Sequence, residues 1–116
     1  MDVIFKGEKI EIGMKKVSFF GRFRGLMFRP KNTENLLFEF SKPEFSAIHS
    51  LFVFFPFLAI WMNEKNNVLD YEIVRPFTLS VKPKNSAKRL AEIPFNQKNK
   101  KILKLFVDKR KDLNIT

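Results

Sequence analysis

The twelve residues from Leu51 to Met62 carry no charge and no polar group beyond the indole N–H of Trp61. A run that is apolar on both faces has to be covered on both sides, so it belongs in an interior. It is too short to cross a bilayer, which takes about 20 apolar residues in a helix. Pro56 stands inside it and cannot donate to a strand ladder. The chain therefore divides there into two expected strands, 47–55 and 57–62, with a bend or bulge between. Asn63-Glu64-Lys65-Asn66-Asn67 is turn chemistry, and the apolar pattern returns from Val68 to Val74. That sequence predicts a hairpin at the heart of the fold.

Around this hairpin the patterns are shorter. Lys9-Ile10-Glu11-Ile12 alternates as a half-buried strand does, and Val3-Ile4-Phe5 precedes it across a turn at Gly7. Phe19, Phe20, Phe23, Leu26 and Met27 recur at three- and four-residue spacing, which predicts a short amphipathic helix over 17–29, weakened by Gly21 and Gly25. Further strands are expected at 36–40, 78–81 and 102–107, with a brief helix capped by Ser86 and running to Leu90. Strands at this spacing predict a mainly β fold, a compact β-sandwich or partly open barrel with one or two short helices. The length of 116 residues suits one domain, expected over 1–107, with 108–116 as a flexible basic tail.

Composition removes several kinds of chemistry. The chain has no cysteine and one histidine, which excludes disulfide frameworks, zinc–thiolate sites and cysteine nucleophiles. Walker patterns, other glycine-rich phosphate loops and nucleophile elbows are absent. No metal and no cofactor is implied, and nothing supports an enzyme. The net charge is +10 and uneven. Residues 1–81 hold 11 basic and 9 acidic side chains, whereas 82–116 hold 11 basic and 3 acidic. Clustered cations attract phosphates, so Lys98, Lys100, Lys101 and Lys104 form a candidate polyanion patch. A solvated basic face would give the same composition. The opening Met-Asp-Val-Ile-Phe-Lys has none of the regions of a secretory leader, so a cytoplasmic protein without a membrane partner is expected.

Arg22-Phe23-Arg24-Gly25-Leu26-Met27-Phe28-Arg29 resembles the Arg-x-x-Gly-Leu-Met-x-Arg signature of an uncharacterised archaeal and bacterial family, domain of unknown function 192. Leu36-Leu37-Phe38-Glu39-Phe40, Ile48 to Pro56, Pro76 and Leu90-Ala91-Glu92-Ile93-Pro94 are similar to later marks of that family, in its order. The likeness covers about residues 3–107 and implies a small β-sandwich or barrel, with almost no implication for activity. Where the family carries an apolar residue and then Asp after the core proline, this chain has Phe57 and Leu58. Any chemistry done by that Asp is therefore lost here.

Four residues form a candidate anion or ligand pocket: Arg22, Arg24, Arg29 and His49. Guanidinium groups beside a glycine suit a carboxylate or phosphate, though they equally suit ion pairs with Glu39 or Glu92. His49, the one histidine, is either a general base or a satisfied core residue. The fifteen Phe read as packing more readily than as base-stacking platforms. The leading expectation is a non-enzymatic binding domain with an anion-friendly pocket for a small ligand. The alternatives are a nucleic-acid-associated protein gripping phosphates through its basic C-terminal third, and a carboxylate- or metal-dependent hydrolase using acids such as Glu39, Asp70, Glu72 or Glu92.

Overall fold

A computed structural model describes residues 1–17 and 25–107. Strands β1 (Asp2–Phe5) and β2 (Glu8–Glu11) form an antiparallel hairpin that turns through Lys6 and Gly7, both at positive φ. A second sheet holds β3 (Lys15–Lys16), β4 (Leu36–Glu44), β5 (Phe57–Met62), β6 (Val68–Val74) and β7 (Ala87–Pro94). Its order is β3-β4-β7-β5-β6, and it is not closed into a barrel. Among the described strands of this sheet only the β3–β4 pair is parallel. A 3₁₀ turn at Gln97–Asn99 leads into the α-helix α1 (Lys100–Val107). The expected mainly β architecture with a short helix is what forms.

Alternation along the strands gives the five-stranded sheet two apolar faces. Leu58, Ile60 and Met62 of β5 join Ala91 and Ile93 of β7 beneath the β1–β2 hairpin and α1, which contribute Val3, Ile10, Leu103, Phe106 and Val107. Phe57, Ala59 and Trp61 face the other way, with Leu36, Phe38, Phe40 and Leu90, and are covered by Leu26, Val53 and Phe55 from loops. Leu58 is wholly buried in the first core, so an acidic side chain at that position would be desolvated.

Several expected elements differ. Strand β5 and its hairpin partner β6 form as read, but β6 is an edge and the central strand is β7. The helix expected from Ser86 is the start of that strand: Ala87 to Glu92 favours helix locally, and two flanking strands override the preference. The last expected strand is instead the helix α1. Leu103, Phe106 and Val107 are buried while Leu105 is 47% exposed, which is a helical period.

The segment before Pro56 is no strand either. It touches 78–81 through a single bridge, Ile48 to Val81, and then turns at Leu51 and Phe52. Buried Ser50 is the reason: its hydroxyl donates to the Arg75 carbonyl at 2.5 Å and accepts the Thr78 N–H at 2.6 Å, pinning the two loops together. Of the helix expected over 17–29, residues 25–28 form a turn with positive φ at Gly25 and Phe28. The remainder, 18–24, and the tail 108–116 lie outside the described residues.

Leu103 and Leu105 separate the two periods experimentally. On a helix, Leu103→Ala should cost about 2–5 kcal/mol and Leu105→Ala under about 0.5 kcal/mol in urea denaturation. A strand would place both on one face, and equal losses would contradict the helix.

Candidate functional site

Glu92 lies in the middle of β7, in register between Leu36 of β4 and Ala59 of β5, on the face of the second core. It is 5% exposed, and its Oε1 has no hydrogen-bond partner. Burial pushes the carboxyl up to about 8, and the positive charge of Arg29 pulls against that rise. Glu92 is therefore largely protonated at neutral pH.

The Gly-Leu-Met-Phe-Arg stretch forms the lid over this carboxyl. Gly25 has φ +50°, and a Cβ there would sit 3.1 Å from Glu92 Oε1. Leu26 drops into the second core. Arg29 ties the turn shut, donating from Nε to the Gly25 carbonyl at 3.0 Å and from Nη1 to Thr33 Oγ1 at 3.4 Å. Glycine is needed here for both conformation and close approach.

Thr33 leads to a cleft of about 370 Å³, lined by Gly13, Met14, Lys15, Thr33 to Asn35, Lys98, Asn99 and Ile102. Three segments distant in sequence meet at it, and asparagines hold them. Asn35 and Asn99 exchange side-chain hydrogen bonds, Nδ2 to Oδ1, at 3.0 and 2.8 Å. Asn35 Nδ2 also reaches the Gly13 carbonyl, and Asn99 Nδ2 the Pro94 carbonyl. Asn96 caps the 3₁₀ turn through the Asn99 N–H and donates to the Lys31 carbonyl. These amides are consumed in fixing the floor. The groups left to meet a ligand are the ammonium of Lys15, the carboxylate of Glu34, the Lys98 head that donates to the Asn32 carbonyl, and the apolar walls Met14 and Ile102.

The polyanion candidates fall beside this cleft. Lys98 lines it, and Lys100, Lys101 and Lys104 are all exposed on α1. No acidic residue stands in the first turn of that helix, where negative charge would be favoured.

The proposed Arg–His pocket is only partly visible. Arg22 and Arg24 lie outside the described residues. Arg29 is occupied as above, with its charge acting on Glu92. His49 is exposed on the loop before Ser50, and its Nδ1 accepts the Leu51 N–H at 3.1 Å. Neither side chain bonds to the other. The acids are dispersed: Glu39 lies 3.4 Å from Lys16 and 3.7 Å from Arg89, while Asp70 accepts the N–H groups of Tyr71 and Lys84. Among the described residues no three His, Asp or Glu side chains gather as a metal site. Sequence reasoning missed Asn35, Asn96 and Asn99, and three asparagines spread over 64 positions give no local signal.

The family model described as DUF192, uncharacterized ACR, matches residues 3–105. The chain belongs to this family. Two solved structures share its fold. One is a protein of unknown function from Novosphingobium aromaticivorans DSM 12444, 14% identical, with a TM-score of 0.71 over 87% of this chain and 75% of that one. The other is described as a putative transcription regulator from Sinorhizobium meliloti 1021, 15% identical, with a TM-score of 0.72 over 87% of this chain and 82% of that one. At these identities the likeness concerns fold alone. No curated protein matches the chain.

For this DUF192 member the buried acid sets a pH dependence. Between about 4.5 and 8 the unfolded chain carries Glu92 ionised while the native state keeps it protonated. The native state then binds the extra proton, so stability falls as pH rises through that window. Glu92→Gln should flatten the decline, gaining on the order of 3–5 kcal/mol over the parent between pH 4.5 and pH 8. Parallel chemical denaturation of the two proteins checks this, and identical slopes would refute it.

Proposed function

We propose that this protein is a non-enzymatic binding domain that takes a small anionic ligand in the cleft between β3, residues 33–35 and the start of α1. The observation that carries the reading is the cleft itself: about 370 Å³, with two cations, Lys15 and Lys98, against one acid, Glu34, and with Met14 and Ile102 as apolar walls. Concave sites that bind small molecules combine apolar walls with a few fixed polar groups in this way. The Asn35–Asn99 amide pair supports it further, because a floor already locked costs little ordering on binding. Arg29 of the sequence-derived pocket contributes from behind, by holding Thr33 in the wall.

Amide chemical shifts on titration with small carboxylates and inorganic phosphate test the reading. Saturable shifts are expected at Lys15, Asn35 and Lys98. Lys15→Glu with Lys98→Glu should weaken binding at least tenfold, Arg29→Ala a few-fold, and His49→Ala not measurably. Shifts confined to Arg29 and His49 would return the site to the Arg–His pocket, and no shifts at 10 mM ligand, about the weakest binding worth calling a site, would remove the cleft.

A second reading rests on the exposed lysines of α1, the helix whose Ile102 lines the cleft. It is a nucleic-acid-associated protein that grips phosphates without reading sequence. The Sinorhizobium meliloti protein's description as a putative transcription regulator is compatible with it, at the level of fold. Here log K for labelled DNA or RNA should fall against log salt with a slope of about −4 or steeper. Lys100→Glu, Lys101→Glu and Lys104→Glu together should abolish the binding. A flat salt series would leave those lysines as a solvated face.

A further inference from the structure

Four phenylalanines stand in mutual contact on the surface. Phe28 stacks on Phe52 with ring centroids 5.0 Å apart, Phe52 meets Phe77 edge-on at 6.5 Å, and Phe77 meets Phe54 at 5.3 Å. All are exposed, from 49% for Phe52 to 62% for Phe54. At 150–250 Å² per aromatic side chain, roughly 400 Å² of ring surface faces solvent, the size of the largest patch on a soluble monomer, which is often functional.

Backbone strain holds them there. Phe28, Phe52 and Phe77 have φ of 61°, 59° and 60°, a left-handed conformation that bulky residues rarely adopt. Hydrogen bonds impose it: the Phe28 N–H donates to the Phe52 carbonyl, and the Phe77 N–H to the carbonyl of buried Ser50. Strain of this kind persists where the surroundings over-determine it and concentrates at functional surfaces.

The charge on the loops that carry the rings is mainly positive. Residues 25–35, 45–56 and 75–86 contain Arg29, Lys31, Arg75, Lys82, Lys84 and His49 against one acid, Glu34, which lines the cleft. We propose that this cluster docks the protein on the surface of an anionic lipid bilayer, with Phe28, Phe52, Phe54 and Phe77 at headgroup depth and the cations over acidic headgroups.

Phenylalanine rings gain by burial at the boundary between headgroups and acyl chains, and neighbouring Lys and Arg add attraction to anionic lipid. A second copy is a poorer occupant. The exposed ring area is about half of the 800 Å² per partner that a stable interface buries, and in a symmetric dimer like charges would face each other. Nucleic acid is also poorer, since a strand on stacking platforms needs a continuous cationic groove and not separate cations on three loops. The Lys98–Lys104 track belongs to the element that covers the first core, whereas Phe28 and Phe52 belong to loops that cover the second. Docking differs from crossing: no helix among the described residues is long and apolar enough to span a membrane, and none is needed.

The test is co-sedimentation of the full chain with vesicles of phosphatidylcholine alone and with phosphatidylglycerol added. A Phe54→Trp variant supplies a reporter, because Trp61 is buried. The expected result is binding to the anionic vesicles only, with a blue shift of the new indole. Phe28→Ser with Phe54→Ser should lower binding at least tenfold while circular dichroism stays native. Two charge-matched variants separate docking from bulk charge. Arg75→Glu with Lys82→Glu should lose at least tenfold, and Lys100→Glu with Lys101→Glu much less. No binding, equal loss in the two charge variants, binding indifferent to the Phe substitutions, or a parent dimer that the Phe substitutions dissolve would each overturn the proposal.

Discussion

Strand β7 is hydrogen-bonded along both edges, by β4 and by β5, and its pleat supplies residues to both cores. That one constraint positions the rest. A strand with two neighbours must be covered on both faces, so the β1–β2 hairpin and α1 close one side and the loops at 25–28 and 51–55 close the other. In this central place the chain carries a carboxylic acid. Ionising Glu92 there would put a charge into apolar surroundings, so the group keeps its proton and the loop above it forgoes a side chain at Gly25.

This gives the Gly-Leu-Met-Phe-Arg stretch a physical meaning. Gly25 allows the approach to Glu92, Leu26 fills the core beside it, and Arg29 closes the turn and sets a positive charge against the rise that burial causes. The same five residues reach outward twice. Phe28 turns into the exposed aromatic cluster, and Arg29 holds Thr33 in the wall of the cleft. The buried acid, the cleft and the aromatic surface are therefore mechanically joined through one short turn.

The sheet also separates two kinds of surface. Beside α1 lie exposed lysines and a cleft with apolar walls and a floor locked by asparagines. On the loop side lie phenylalanines held outward by left-handed backbone. The lysines of α1 and the exposed phenylalanines thus belong to elements that cover different cores, although the loops that carry the rings hold cations of their own.

The strands β5 and β6 were legible because their signals are local. A continuous apolar run, Pro56 at one end and a five-residue asparagine-rich turn at the other admit little else. Mainly β architecture followed from the same kind of spacing, and the family from a motif of contiguous residues. What the sequence left open depended on neighbours. Ala87 to Glu92 has helical propensity and Ile102 to Val107 looks like a buried strand, yet each takes the other form. Ladder partners on two sides decide the first and a core to cover decides the second. The candidate sites were legible only as residue types: Lys98 was visible as a cation, whereas the cleft it lines is made by residues from three separated segments. Exposure of the phenylalanines is tertiary as well, because the hydrogen bonds that hold them join separate loops, Phe28 to Phe52 and Phe77 to Ser50. The local order of side chains determined composition, charge and the fold's longest hairpin; long-range packing decided which strand is central, which acid is buried and which aromatic rings face solvent.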